Sequence, residues 1–316
     1  MERLLITLIL VCTMNNITNA QNPFYGQYHT PHEAVPFDRI ETEHYEPAIL
    51  EGIKLQNAEI EAIIQNPEKA DFTNTIEAFE ESGKLLDKVV AVFGNMLSAE
   101  TNDDLQELAQ KIMPLLSEHS NNITLNEKLF ARVKEVYNQK ETLQLTQEQK
   151  QLLENAYNSF IRHGANLEGE AREEYRRLTT ELSKLTLTFS ENNLKETNAY
   201  QMLLTKKESL AGLPEIIIEA AAETAKNEEK EGWAFTLHAP SYIPFMTYSD
   251  NRDLRQKLYM AYNTKCTHDN EFNNIDIVKK IANTRMKIAQ LLGYKDYAEY
   301  TLKKRMACLL YTSDAA

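Results

Sequence analysis

Apolar residues recur at helical spacing through most of the chain. The clearest run is Ala171, Tyr175, Leu178, Leu182, Leu185 and Phe189, whose steps of 4, 3, 4, 3 and 4 keep one face apolar while Glu173, Arg176, Glu181 and Lys184 point elsewhere. This pattern predicts a buried stripe on a helix of about five turns, packed within the molecule, since the repeat ends before a coiled coil would be established. No proline occurs between Pro114 and Pro214, so long helices are expected there. Leu153, Ala156, Tyr157 and Phe160 mark one helix, Leu254, Leu258, Ala261 and Tyr262 a second, and Ile277, Ile281, Ile288 and Leu292 a third, which Gly293 would close. Polar caps that satisfy first-turn amides are predicted at Asn74 with Glu77 and at Thr146 with Gln149. Between Tyr200 and Tyr248 the punctuation changes to Gly212, Pro214, Gly232, Pro240 and Pro244. Tyr200 to Leu204 and Trp233 to His238 read as short strands, the second alternating Trp233, Phe235, Leu237 against Ala234, Thr236, His238, with an alanine-rich helix from Glu215 to Lys226 between them. The fold class is mainly α with a few short strands near 200–238.

The 316 residues suggest about two domains at the usual ~150 residues each. Forty-seven acidic against 34 basic side chains give a net charge of -13, spread in short mixed-sign runs, which argues against sequence-independent nucleic-acid binding because phosphate contacts need a positive surface. Hydrophobic residues at 42%, with nine Gly and nine Pro, exclude wholesale disorder and collagen-like repeats. Met1-Glu2-Arg3, the apolar run Leu4 to Val11, a polar stretch and Thr18-x-Ala20 before Gln21 together read as a secretory signal over 1–20, predicting a periplasmic product without stable membrane insertion. The apolar run is about half the ~20 residues of a membrane-spanning helix, and Val11 before Cys12 is too bulky for a lipid anchor. Cys12, Cys266 and Cys308 fit neither a disulfide framework nor a metal or redox motif.

A zinc peptidase helix needs His-Glu-x-x-His, two imidazoles one turn apart with a glutamate to activate water. The His-Glu pair here, His32-Glu33, continues Ala34-Val35-Pro36. His29 and His32 have ligand-like spacing, but Pro31 separates them in a stretch of turn formers, and His44, His119, His163, His238 and His268 are scattered. There is no G-x-S-x-G nucleophile elbow, and the dispersed glycines build no phosphate-binding loop. Glu80-Glu81, Asp103-Asp104, Glu173-Glu174 and Glu228-Glu229 read as solvated helix faces, because adjacent helical residues diverge in direction. Trp233, Phe235, Tyr242, Phe245 and Tyr248 could line a peptide groove, but core packing under a loop explains them more simply. No catalytic, cofactor-binding or metal-binding residue is assigned from these patterns.

The order of longer strings says more than any motif. They are Phe37-x-x-Ile40 with His44-Tyr45-x-Pro47-Ala48, then Phe72-Thr73-Asn74-Thr75-Ile76-Glu77-Ala78, then Ser82-Gly83-x-Leu85. Phe160-Ile161-Arg162-His163-Gly164-Ala165-x-Leu167, Leu210-Ala211-Gly212-Leu213-Pro214 and Gly232-Trp233-x-Phe235-Thr236-Leu237 follow. Asn251-Arg252-x-Leu254-Arg255, Ala289-x-Leu291-Leu292-Gly293-Tyr294 and Met306-Ala307 complete the series. In this order the chain, from about Phe24 to Ala307, resembles the thimet-oligopeptidase family of zinc metallopeptidases, and within it the N-terminal half of the peptidyl-dipeptidase and oligopeptidase A branch.

The resemblance implies a helical, two-lobed fold with a deep channel, one zinc ion in the complete parent and hydrolysis of short peptides, dipeptides being released from the C-terminus in the dipeptidase branch. It also implies that the zinc-binding motif lies in a second half beyond this sequence, so no ligand carries over, and the 316 residues are expected to hold no zinc and to be inactive. The regions expected are a signal at 1–20, a helical region at 21–200, a mixed region at 201–307 and a foreign-looking tail at 308–316. The alternative from another class is a non-catalytic helical protein that holds peptides or a partner chain on the same scaffold.

Overall fold

A computed structural model describes residues 22–307, so the predicted signal at 1–20 and the tail at 308–316 lie outside the described residues. The chain divides into two compact units, Met1–Ser183 with Lys287–Ala316, and Lys184–Met286. Among the described residues no helix is long and apolar enough to cross a membrane.

The first unit holds α1 (Thr42–Gln65), a π-helical turn (Phe72–Glu77) running on through Glu80, α2 (Lys84–Ala99), α3 (Asp103–Thr124), α4 (Glu127–Asn138) and α5 (Gln147–Arg162). The long helix α6 (Gly169–Ala199) starts in this unit, and the short α11 (Tyr297–Leu302) ends it. Its main core joins Ile60 and Ile63 of α1 and Phe72 and Ile76 of the π turn to Leu129, Phe130 and Val133 of α4 and Leu153 and Phe160 of α5. Phe160 is fully enclosed, with ring centroids 5.4 Å from Phe79 and 5.8 Å from Phe130. Each such buried side chain contributes about 1.5–3 kcal/mol of transfer free energy. Helices α1 and α2 meet at Gly52, where an added Cβ would lie 2.9 Å from the Leu86 Cα. Only a residue without a side chain allows that approach.

The second unit holds the remainder of α6, strands β1 (Gln201–Leu204) and β2 (Trp233–Thr236), α7 (Glu215–Asn227), α8 (Ala239–Tyr248), α9 (Arg252–Asn263) and most of α10 (Ile275–Leu291). The strands are antiparallel, Gln201 opposite Thr236 and Leu204 opposite Trp233. Gly232 makes the turn into β2 at φ +117°, and a Cβ there would strike the Leu204 carbonyl oxygen at 2.3 Å. Phe235 and Phe245 meet edge-on at 4.6 Å in a core with Met202, Leu210, Leu237 and Leu258. The irregular stretch therefore spends these two rings on packing, as the simpler reading expects, whereas Tyr248 is half exposed.

The architecture is mainly helical, with one two-stranded sheet among the described residues. Thr146 and Gln149 form the predicted reciprocal cap, and α10 ends as predicted at Gly293 (φ +83°), with Tyr294 N–H donating to the Ala289 carbonyl and Gly293 N–H to that of Gln290. Other expectations need correction. The cap predicted at Asn74 and Glu77 lies one turn earlier, between Asp71 and Asn74, and Glu77 instead accepts from Gln149 Nε2 at 3.4 Å. Helix α6 runs 31 residues, and its stripe is buried at Tyr175 and Leu178 but ends with Phe189 38% exposed. Pro114 lies inside α3 and Pro47 inside α1. The alternation along β2 is incomplete because Ala234 and Phe235 are both buried, α7 and α8 packing on the strand.

Candidate functional site

Most of the histidines are held by hydrogen bonds, some within a turn and others to distant segments, and His29 and His32 are exposed. His44 Nδ1 accepts from the Glu41 amide at 2.9 Å and so serves the start of α1. His119 is buried, 2.7 Å from Gln56 Oε1, and burial lowers its pKa. His163 reaches back to the Ser159 carbonyl at 2.7 Å, and His238 Nε2 lies 3.0 Å from Asn198 Oδ1. His32 sits in the exposed turn Pro31–Glu33 at φ 57°, and the ligand-like spacing to His29 is not set on a helix. Among the described residues no group of three or more His, Cys, Asp or Glu side chains could hold a metal ion.

One polar cluster was invisible to spacing. Glu196 of α6 receives His268 Nδ1 at 2.8 Å, Asn270 Nδ2 at 3.2 Å and the Cys266 backbone amide, binding the loop after α9 to the helix. Burial raises the Glu196 pKa, but these donors outweigh it and the carboxyl titrates below its ordinary value. A cysteine, a histidine and a carboxylate in one place invite a nucleophile reading, which the electrostatics oppose. Burial and the neighbouring Glu196 push the Cys266 thiol up to about 11, whereas a reactive cysteine needs a lowered pKa. Lys265 Nζ donates to Thr197 Oγ1 at 3.0 Å, and Asn274 donates to the Phe189 carbonyl at 3.0 Å, so the cluster works as a latch. Its members lie about 70 residues apart in sequence, too far for a spacing argument to join.

Two of the recesses of ligand-site size differ in charge. One of about 910 Å3 lies between α1 and α3, floored by Pro47, Leu50 and Leu108 and edged by Glu43, Asp104 and Glu107. The other, of about 520 Å3, lies against α9 and carries arginines instead of acids. Neither recess is lined by a histidine.

Comparison with known proteins bears on the family of the chain. The model of peptidase family M3 matches residues 245–309. The dipeptidyl carboxypeptidase of Escherichia coli strain K12 is 35% identical over 287 residues, 90% of this chain and 42% of its own length. Oligopeptidase A of Salmonella typhimurium is 30% identical over 290 residues, again 90% of this chain and 42% of its own, and that of Escherichia coli is 30% identical over 282 residues. The chain spans about two fifths of the length of these curated relatives. With the family model placed on the residues that form α9 and α10, and relatives of two enzyme types aligned along nine tenths of the sequence, the chain belongs to peptidase family M3, the thimet-oligopeptidase family.

Proposed function

We propose that this chain is a portion of an exported zinc peptidase that hydrolyses short peptides, of the dipeptidyl-carboxypeptidase or oligopeptidase type. The observation that carries the reading is identity of 30–35% over about nine tenths of the chain with relatives named for those two activities. Zinc hydrolysis requires at least three protein ligands and an open position, where the metal lowers the pKa of its bound water to ~7. The residues described here do not fit that requirement: no three donors converge, and His119, His163, His238 and His268 are committed to other partners. The zinc ligands are accordingly assigned to the length of the relatives that this chain does not match, and the 316 residues are expected to cleave nothing alone. Their part is to hold one side of the site and the peptide that enters it. Export to the periplasm rests on the pattern of residues 1–20, and N-terminal sequencing should find a mature start at or near Gln21.

The test is an internally quenched short peptide with added zinc, offered to the 316-residue chain and to the same chain fused to the unmatched remainder of the Escherichia coli relative. Chelator-sensitive turnover by the fusion and none by the chain is expected. Turnover by the chain itself would overturn the assignment of the zinc ligands, and a folded but silent fusion would overturn the peptidase reading.

A further inference from the structure

Helix α9 presents two unlike faces. Leu254, Leu258 and Ala261 point into the core of the second unit, and Tyr262 stacks on Tyr242 of α8 at 4.2 Å. On the opposite face Arg252, Arg255, Gln256, Tyr259 and Met260 follow one another at i, i+3, i+4, i+7 and i+8, and with Met246 of α8 they line the groove of about 520 Å3. The groove is cationic at one end and apolar at the other. Tyr259 and Met260 stay 50% and 49% exposed.

The lining of the groove holds no acid. Arg252 is exposed and, among the described residues, makes no ion pair or side-chain hydrogen bond, while Arg255 donates from Nη1 to the Ser249 carbonyl and to no carboxylate. Asp253, next in sequence, is turned ~100° around the helix from Arg252, and neither it nor Asp250 comes within ion-pair distance of the arginines. The two guanidiniums, without an ion-pair partner, line the groove near the N-terminal end of α9, where the helix dipole adds to their charge and Asp253 of the same turn points to another side. A carboxylate is the group that a guanidinium fork grips in two parallel hydrogen bonds. The thioethers of Met246 and Met260 and the Tyr259 ring supply adaptable apolar surface suited to varied side chains. From Arg252 to Met260 the helix rises about 12 Å, which an extended peptide covers in three to four residues.

We propose that this groove binds the free C-terminal end of a short peptide, its α-carboxylate on Arg252 and Arg255 and its last apolar side chains along Tyr259, Met260 and Met246. The choice of a peptide rests on the function proposed above, whereas the carboxylate and the apolar company rest on the groove. A lone anion would use the arginines and leave the apolar stripe unused.

Calorimetric titration of the 316-residue chain with N-acetyl-Ala-Leu-Phe as free acid and as C-terminal amide tests this directly. The acid should bind at least about tenfold more tightly than the amide, the scale of one lost charge-assisted contact. Arg252→Gln, a change at an exposed and unpartnered side chain, should remove most of that preference without altering the circular dichroism, and Arg252→Lys should keep part of it. Met260→Ser should weaken both peptides alike. Equal binding of acid and amide, unchanged affinity in Arg252→Gln, or inorganic phosphate binding as tightly as the peptide would each overturn the proposal. Absence of peptide binding here, with turnover by the fusion described above, would remove the groove and leave the peptidase reading standing; binding here with a silent fusion would do the reverse.

Discussion

The two compact units spend their apolar residues differently. Among the described residues, eleven of the fifteen large hydrophobic side chains that remain exposed, Ile216, Ile243, Tyr259, Val278 and Met286 among them, belong to the second unit, although it is the smaller of the two. Apart from Phe37, the first unit turns its phenylalanines inward, with Phe79 and Phe130 each in ring contact with Phe160 and Phe24 and Phe93 flanking Tyr45. Apolar area left in water contributes nothing to folding, and contiguous exposed patches mark surfaces that something else covers. The first unit is therefore organised around its own core. The second is organised partly around faces that look outward, one of them the arginine-bearing groove of α9.

The largest expected effect comes from cutting into the better core. Phe160→Ala should cost about 3–5 kcal/mol, read as a lowered denaturant midpoint for the first unit, because a fully enclosed ring leaves a cavity that its neighbours cannot close. A cost under 1 kcal/mol would mean that this core is looser than its packing indicates. Gly52→Ala should follow at about 1–3 kcal/mol: alanine favours a helix by roughly 1 kcal/mol, but the backbone of Leu86 stands 2.9 Å from the new Cβ and cannot yield as a side-chain tip would. A stabilised variant would show that α1 and α2 can separate freely.

Acid should separate the units by pH. His119, buried in the first, has a folded pKa below its ordinary 6.5, so the unfolded chain takes up its proton first and stability falls as pH drops below about 6.5, by at most ~1.4 kcal/mol per pH unit until the folded pKa is reached. Glu196, in the second, has a folded pKa below its ordinary 4.5, so its contribution is complete above about 4.5 and is lost as pH falls through the folded value. Denaturant titrations at pH 7.5, 5.5 and 4 should show the higher window reduced in His119→Gln and the lower in Glu196→Gln; identical profiles in both variants would contradict the assignment. The smallest effect belongs to the outward faces. Ile216→Lys, at a side chain 72% exposed, should change stability by no more than ~0.5 kcal/mol while lowering dye binding by exposed apolar surface.

Element positions were largely legible in the sequence, because caps and periodicity act locally: Thr146 and Gln149 fix the start of α5, and Gly293 the end of α10. Destination was not. Phe189 continues the spacing of Tyr175 and Leu178, yet those two are buried and Phe189 is exposed, since periodicity names a face without naming what covers it. The Glu196 latch and the pairing of Met246 with α9 depend on tertiary placement. The arginine spacing along α9 was readable, but the lack of an acidic partner was not.

The difference between the units is tested most directly by amide hydrogen exchange followed by mass spectrometry on the 316-residue chain. Amides of α4 and α5, within 127–162, should exchange at least about tenfold more slowly than those of α9 and α10 in the second unit, because exchange from a buried core requires a costlier opening. Equal protection in the two segments, or slower exchange in α9 and α10, would contradict the account.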